Sequence, residues 1–175
     1  MIKIENNELI IRSLNKNDIN CLKLMRVDSV IYHFEPTFLI ELQGEINAAI
    51  DVISNMDLLI DRQIILGIFK KEDPSIFLGL AEFYDYKSSG VIISIGYRLL
   101  SKYWRQGFGT SCVSLLLDFI RNNLSAKIVT AHVLANNLAS KKCLEKNGFT
   151  YLLNKKEDWG HKHLEDTDVY TYDFV

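Results

Sequence analysis

Residues 96–110, Gly-Tyr-Arg-Leu-Leu-Ser-Lys-Tyr-Trp-Arg-Gln-Gly-Phe-Gly-Thr, decide how this chain folds. An apolar run of strand character ends in a short polar loop. The loop opens directly into a long helix, with Val113, Leu116, Leu117, Ile120 and Leu124 at helical spacing. Gly107 and Gly109 sit where that helix must start. The first turn of a helix leaves backbone N–H groups without intrahelical partners, and the helix dipole adds positive potential there. Such a turn receives a phosphate or pyrophosphate. Glycine lets the backbone approach the anion with no Cβ between. A tight strand–helix turn that needs glycine for a positive φ explains a bare Gly-x-Gly equally well, and the residues that follow separate the two readings.

Asn136-Asn137-Leu138-Ala139-Ser140 opens a second helix, which closes at Lys146-Asn147-Gly148-Phe149. Gly148 reads as the left-handed residue of a Schellman stop, with Phe149 packed on Leu144. Between the two helices, Lys127–Leu134 is an alternating β-branched strand. The order is strand, anion-binding turn, helix, strand, Asn-capped helix, Gly-Phe, strand.

Here the chain resembles the GNAT (Gcn5-related) N-acetyltransferases. Trp104-Arg105-Gln106-Gly107-Phe108-Gly109 is similar to their pyrophosphate loop, Q/R-x-x-G-x-G/A. Trp104 stands where most members carry Gln or Arg, as in the RimJ/RimL-like branch of ribosomal-protein N-terminal acetyltransferases and their relatives. Asn137…Ser140…Leu144-Glu145-Lys146-Asn147-Gly148-Phe149 is similar to the second family motif, N-x-x-A/S…Y-E-K-x-G-F. The likeness covers about residues 76–174, and two motifs in order are far more specific than either alone.

The resemblance implies an α+β fold: a mixed, mostly antiparallel sheet of about seven strands, splayed at the cofactor site, with helices on both faces. It implies acetyl-CoA as donor and a primary amine, a protein N-terminus or a small amine, as acceptor, joined by direct attack through a tetrahedral intermediate. Backbone N–H groups of Arg105, Gln106, Gly107, Phe108, Gly109 and Thr110 would cradle the pyrophosphate, with the Thr110 hydroxyl and the Arg105 charge in support. Pantetheine would pair with the backbone of Leu99 and Leu100, and an N–H near Leu99 would face the thioester oxygen. Asn137 matches the asparagine that binds the pantetheine arm; it is equally an N-cap, a role open to Asn136 as well.

The acid and base depart from the common pattern. Leu144 occupies the position of the usual tyrosine acid, and Ser140, one turn earlier, matches the serine of the RimL-like branch. Ser140 is therefore the candidate proton donor to the thiolate, directly or through water, although that thiolate can also take a solvent proton. Ser94 stands where relatives often carry a carboxylate before the Gly-Tyr. Glu82 on the adjacent strand is the first substitute base and His132 the second, its imidazole titrating near the working pH. Glu82 reads as readily as a surface strand residue and His132 as a satisfied core histidine. An α-amino group has a pKa of about 8, so it needs less help than a lysine.

The segment Trp159-Gly160-His161-Lys162-His163, with Glu165, Asp166 and Asp168, matches no metal-ligand spacing, and no metal is expected. The family places this region beside the acceptor mouth, with Phe34 and Glu35 on the other side. The closing hairpin is also the candidate edge for a homodimer.

The rest of the chain fits one domain over residues 1–175. Residues 8–12 read as a first strand. Asn15 or Asn17 caps a helix bearing Ile19, Leu22, Met25 and Val27, and a second helix covers about residues 40–55 with Ile46, Ala49, Ile50 and Ile53 on one face. Gln63–Phe69 and Ser75–Tyr84 form a hairpin, followed by a strand at Val91–Leu100; residues 150–155 and 168–174 close the sheet around a charged loop. A net charge of −2 argues against a dedicated nucleic-acid binder. The net acidity tilts weakly toward a cationic acceptor. Cys21, Cys112 and Cys143 lack metal or redox spacing and suit a reducing compartment. The start has no signal-peptide layout and no apolar run reaches membrane-spanning length, so a cytoplasmic protein without a membrane partner is expected. Two other functions compete. One is a non-catalytic acyl-CoA-binding module, suggested by the missing tyrosine and carboxylate. The other is a dinucleotide oxidoreductase, which the late, glycine-short motif fits poorly.

Overall fold

Strand β1 (Lys3–Glu5) pairs with β2 (Leu9–Ser13), and the turn between them is held by Asn6, whose Oδ1 accepts from the N–H of Glu8 and Leu9. The computed structural model describes residues 1–34, 45–86, 90–159 and 163–174. Helices α1 (Ile19–Val27), α2 (Ile46–Asn55) and α3 (Leu58–Asp61) follow. Next come β3 (Ile64–Lys70), β4 (Phe77–Tyr84) and β5 (Ile92–Leu99). The chain then runs through α4 (Phe108–Asn123), β6 (Ile128–Leu134), α5 (Leu138–Lys146), β7 (Thr150–Asp158) and β8 (Leu164–Asp173). The sheet has eight strands in the order β1-β2-β3-β4-β5-β6-β8-β7, and every pair is antiparallel except β5–β6. The added strand is β1, which the sequence pattern left out because it is three residues long.

Alternation along the strands builds two cores. Ile93, Ile95, Val129 and Ala131 face Val113, Leu116, Leu117 and Ile120 of α4. On the other face, Ile10, Ile65 and Leu80 meet Leu22 and Met25 of α1 and Ile50 and Ile53 of α2. Val27 does not join them: it is 77% exposed, because α1 buries only Cys21, Leu22 and Met25. Asn15 caps the 3-10 turn Lys16–Asp18 that leads into α1 and not α1 itself: its Oδ1 accepts from Asn17 N–H while the Asp18 carboxylate accepts from Asn15 N–H, and Asp18, at the start of α1, makes no side-chain cap bond. Residues 40–44 of the expected second helix lie outside the described residues.

The closing strands are longer than the sequence pattern suggests. Residues expected in a charged loop are rungs of the β7–β8 ladder, with Lys155 opposite Thr167 and Lys156 opposite Asp166, the latter an ion pair at 2.8 Å. Backbone pairing and opposite charges across the ladder outweigh the weak strand preference of Lys and Glu. β7 is the outermost strand and leaves Tyr151, Leu152 and Leu153 exposed. No described helix is long and apolar enough to cross a membrane.

The feature that makes the site is where β5 and β6 part. As parallel neighbours they need a crossover, which α4 supplies. They pair only from Ile92–Ser94 to Ile128–Thr130, whereas β5 stays paired with β4 as far as Leu99. Beyond Ser94 the two strands diverge and leave a gap.

Candidate active site

The loop before α4 turns through two left-handed residues, Arg105 (φ 61°) and Gly107 (φ 90°). Gly107 is the N-cap and no side chain caps the helix. The N–H groups of the first turn, Phe108, Gly109 and Thr110, therefore keep their donors for a ligand. The two glycines serve different ends. Gly107 supplies the positive φ, and a Cβ there would meet nothing within 4 Å. A Cβ on Gly109 would lie 3.0 Å from the Tyr97 hydroxyl, so Gly109 makes room for a side chain rather than only for an anion. Gln106 is held by a bond from its Nε2 to the Lys102 carbonyl at 2.9 Å.

At the end of β5, Leu100 N–H donates to the Leu78 carbonyl at 2.9 Å. In an antiparallel ladder alternate residues exchange both bonds with one neighbour. Leu100 and Arg98 therefore face β4, and Tyr97 and Leu99 turn their backbone groups toward the gap. The backbone positions that face the gap are thus Tyr97 and Leu99, and Leu100, expected from the sequence to share that role, has its donor committed elsewhere. Trp104 fixes this geometry: its indole N–H donates to the Leu99 carbonyl at 2.8 Å, and its ring lies 5.9 Å from that of Phe34. The Leu99 N–H is left facing the gap.

The gap widens into a cavity of about 520 Å³. Its walls include Arg105 and Gly107–Thr110 of the turn but not Gln106, together with Phe34, Tyr97, Leu99, His132, Asn137, Ser140, Cys143 and Trp159. Asn137 is the N-cap of α5, its Oδ1 accepting from Ser140 N–H at 3.1 Å, and it also lines the cavity. Gly148 has φ 85°, Phe149 N–H bonds the Leu144 carbonyl and Gly148 N–H the Glu145 carbonyl, the Schellman pair expected from the sequence. Asn147 donates to the carbonyls of Thr110 and Cys143 and so ties α5 to the first turn of α4.

Ser140 lies in the cavity wall beside Tyr97 and Cys143. Burial pushes the Tyr97 hydroxyl well above the usual tyrosine range, so it stays protonated. Leu144 is 2% exposed and belongs to the core.

The two candidate bases, and the Ser94 position where relatives often carry a carboxylate, part company. Ser94 is buried and shares a 2.8 Å hydrogen bond with Thr130 at the last rung before the gap. Glu82 folds over Gly96 and accepts from the Arg98 guanidinium at 3.0 Å; Arg98, not Glu82, is the one that lines the cavity. His132 lines the cavity, and its Nδ1 meets the Glu157 carboxylate at 2.8 and 3.1 Å. Lys155 bonds the same carboxylate at 2.9 Å, and the Tyr84 ring stands edge-on to the imidazole. A carboxylate on Nδ1–H leaves Nε2 unprotonated and able to accept. Glu157, Tyr97 and Cys143 escaped the sequence reading. Tyr97 was legible in principle, two residues before Leu99 on the same strand. Glu157 carried no local signal, because only the long β7–β8 hairpin brings it to His132.

Trp159 Nε1 donates to Thr167 Oγ1 at 2.9 Å, while Glu35, Gly160, His161 and Lys162 lie outside the described residues. Among the described residues no group of His, Cys, Asp or Glu could hold a metal ion.

A splayed sheet with an uncapped glycine turn at one end of the gap and a histidine–carboxylate pair in its wall defines an acyl-CoA-dependent acyltransferase site. The profile of the acetyltransferase (GNAT) domain matches residues 8–150, and the chain belongs to the GNAT family of acetyl-CoA-dependent acetyltransferases. No curated protein matches the chain. Solved structures share its fold at low identity. RimL, a ribosomal L7/L12 alpha-N-protein acetyltransferase solved with coenzyme A, is 15% identical, with 99% of this chain and 98% of that one covered and a TM-score of 0.83. A GNAT-family acetyltransferase from Bacillus anthracis is 16% identical, with 98% of each chain covered and a TM-score of 0.80. The spermidine N-acetyltransferase of Vibrio cholerae, solved with coenzyme A and spermine, is 15% identical, with 96% of each chain covered and a TM-score of 0.76.

Proposed function

We propose that this enzyme acetylates a primary amine, with the α-amino group of a peptide favoured over a small amine, and that His132 is the base. The observation that carries the reading is the cavity itself. It runs from the 105–110 turn, past the gap-facing backbone of Leu99, to His132 held by Glu157. Acetyl-CoA supplies the activated acyl carbon. The turn and Asn137 hold the donor, and the Leu99 N–H is placed to stabilise the carbonyl oxygen as it gains charge, a type of contact worth roughly 3–4 kcal/mol of barrier. His132 Nε2 takes the amine proton, and Ser140 donates to the departing sulfur. An α-amino group with a pKa of about 8 is already partly neutral, so an imidazole suffices where a lysine or polyamine asks for more. RimL acts on a protein N-terminus and the Vibrio enzyme on spermidine, so both acceptor classes occur on this fold. The outer strand β7, with Tyr151, Leu152 and Leu153 exposed, is the edge we assign to contact with a second copy, which solution sizing tests directly. Three free cysteines, two of them buried, are in keeping with a reducing, cytoplasmic setting.

The test is thiol release from acetyl-CoA with separate pools of short peptides and of small amines, with products identified by mass. Release in the peptide pool supports the reading. Release in the amine pool alone overturns the acceptor preference, and release in neither, with acetyl-CoA bound, overturns the function.

A further inference from the structure

Arg105, Lys142 and Lys146 stand in the cavity wall, and among the described residues no ion pair or side-chain hydrogen bond engages any of them. The neighbouring cations are already engaged. Lys141 bonds the Asp168 carboxylate and the Ala135 carbonyl, and Arg98 bonds Glu82. Lys142 and Lys146 lie one turn apart on α5, and like charges at that spacing destabilise a helix. Glu145 is the only acidic residue of α5, and it accepts from the Tyr170 hydroxyl at 3.2 Å rather than pairing with Lys142. The two lysines therefore present uncompensated charge to the cavity.

Contacts between α5 and α4 fix where that charge lies. Asn147 Nδ2 donates to the Thr110 carbonyl at 3.1 Å, and Thr110 Oγ1 lies 3.5 Å from Cys143 Sγ. Residues 143–147 thus abut the first turn of α4, whose N–H groups no side chain caps. Lys142 and Lys146 flank that stretch on the cavity side. Helix neighbours at this spacing sit about 6 Å apart, so both ammonium groups reach a single phosphate. Coenzyme A brings an anion besides its pyrophosphate, the phosphate on the ribose 3′ oxygen.

We propose that Lys142 and Lys146 form the site of the ribose 3′-phosphate, so that the enzyme distinguishes coenzyme A from its 3′-dephospho form. The inference rests on the reading that the 105–110 turn holds the pyrophosphate, and is independent of the acceptor and of the base. The N–H groups of the turn are donors at fixed places, as a pyrophosphate threaded past them requires. Lysines are point charges on flexible stems, and both of these are exposed as well as cavity-lining. They suit a phosphate that stays in contact with water. Arg105, on the turn itself, is left to the pyrophosphate.

The experiment compares coenzyme A with 3′-dephospho-coenzyme A by calorimetry in the parent, Lys142→Gln, Lys146→Gln, the double variant and Arg105→Gln. All three side chains are exposed, so glutamine leaves the fold intact. The parent should bind coenzyme A roughly tenfold tighter than the dephospho form, equivalent to 1.4 kcal/mol. Each lysine variant should lose part of that preference and the double variant all of it, with affinity for the dephospho form matching the parent's. Arg105→Gln should weaken both ligands alike. The parent's preference should shrink as salt rises, because exposed charges are screened. A parent that binds the two ligands equally overturns the proposal. So does a double variant that weakens both ligands by the same factor, which would put the lysines at the pyrophosphate. A preference that survives the double variant, or that Arg105→Gln removes instead, assigns the 3′-phosphate elsewhere and overturns it as well. A parent that binds neither ligand refutes the donor site itself, and this inference with it.

Discussion

Replacing Glu157 by Gln tests the base directly. In the native protein both carboxylate oxygens lie near His132 Nδ1, Oε2 at 2.8 Å and Oε1 at 3.1 Å, and Lys155 Nζ donates to Oε1 at 2.9 Å. Lys155 can only donate, so it selects the amide oxygen of Gln at the Oε1 place. The NH₂ group then falls at the Oε2 place and donates to Nδ1. The imidazole proton moves to Nε2, and the atom that faces the amine can no longer accept from it. The loss is that of a positioned base, about 10²–10⁴ in rate. At about 1.36 kcal/mol per tenfold, that is roughly 3–5 kcal/mol of barrier. The fold should hardly notice, because Glu157 and His132 are 26% and 20% exposed and an exchanged hydrogen bond is worth about 1 kcal/mol. The assay is kcat and KM against pH for the parent, Glu157→Gln, His132→Ala and the double variant, with the amine that the parent accepts. KM for acetyl-CoA should stay put, kcat should fall at least a hundredfold, and the double variant should be no worse than His132→Ala. If Glu157→Gln turns over within threefold of the parent at neutral pH, the histidine–carboxylate pair is not the base.

Three further outcomes follow from particular contacts. The Arg12 guanidinium bonds both oxygens of Asp18 at 2.8 Å and holds its carboxyl below the usual range. A depressed carboxyl stabilises the fold above the unfolded value of about 3.9 and loses that contribution as pH falls through the folded one. Asp18→Asn should therefore cost about 1–2 kcal/mol at pH 7, read by thermal unfolding, and the difference from the parent should vanish in acid; a constant difference refutes the pairing. Gly107→Ala meets no atom and pays only for its left-handed φ, about 1–2 kcal/mol. It should weaken coenzyme A binding in calorimetry by roughly tenfold with kcat at saturation kept. Under native alkylation Cys143, in the cavity wall, should react before Cys21 and Cys112, and coenzyme A should protect it. Burial pushes the Cys21 thiol up to about 11 and that of Cys112 higher still, so labelling of either ahead of Cys143 in peptide mass maps would contradict the structure.

Much of the site was legible because its signals are local. The Schellman stop at Gly148 and the turn at Gly107 each depend on a few consecutive residues whose backbone preferences point one way. The Asn137 cap was legible too, although Asn136 looked equally able until the chain's path chose. Amphipathic spacing placed α4 and the β3–β4 hairpin. It failed at Val27, since periodicity names a stripe and not how far the neighbouring strand reaches along it. It also failed over 156–167, where charged residues look like a loop until a partner strand supplies opposite charges and a ladder.

The choice of base shows the boundary most sharply. Glu82 and His132, on the strands either side of Ser94, are the two substitutes for the carboxylate missing there, and the sequence placed Glu82 first because it cannot show which of them reaches the cavity. Folding separates them: Glu82 is paired with Arg98, while His132 lies in the cavity wall against a carboxylate 25 residues away. The amino-acid order alone settles backbone geometry, because steric limits and capping act within one turn of chain. Which side chain keeps a free lone pair in the cavity is settled by partners distant in sequence, because a polar group's chemistry is what its neighbours leave unbonded.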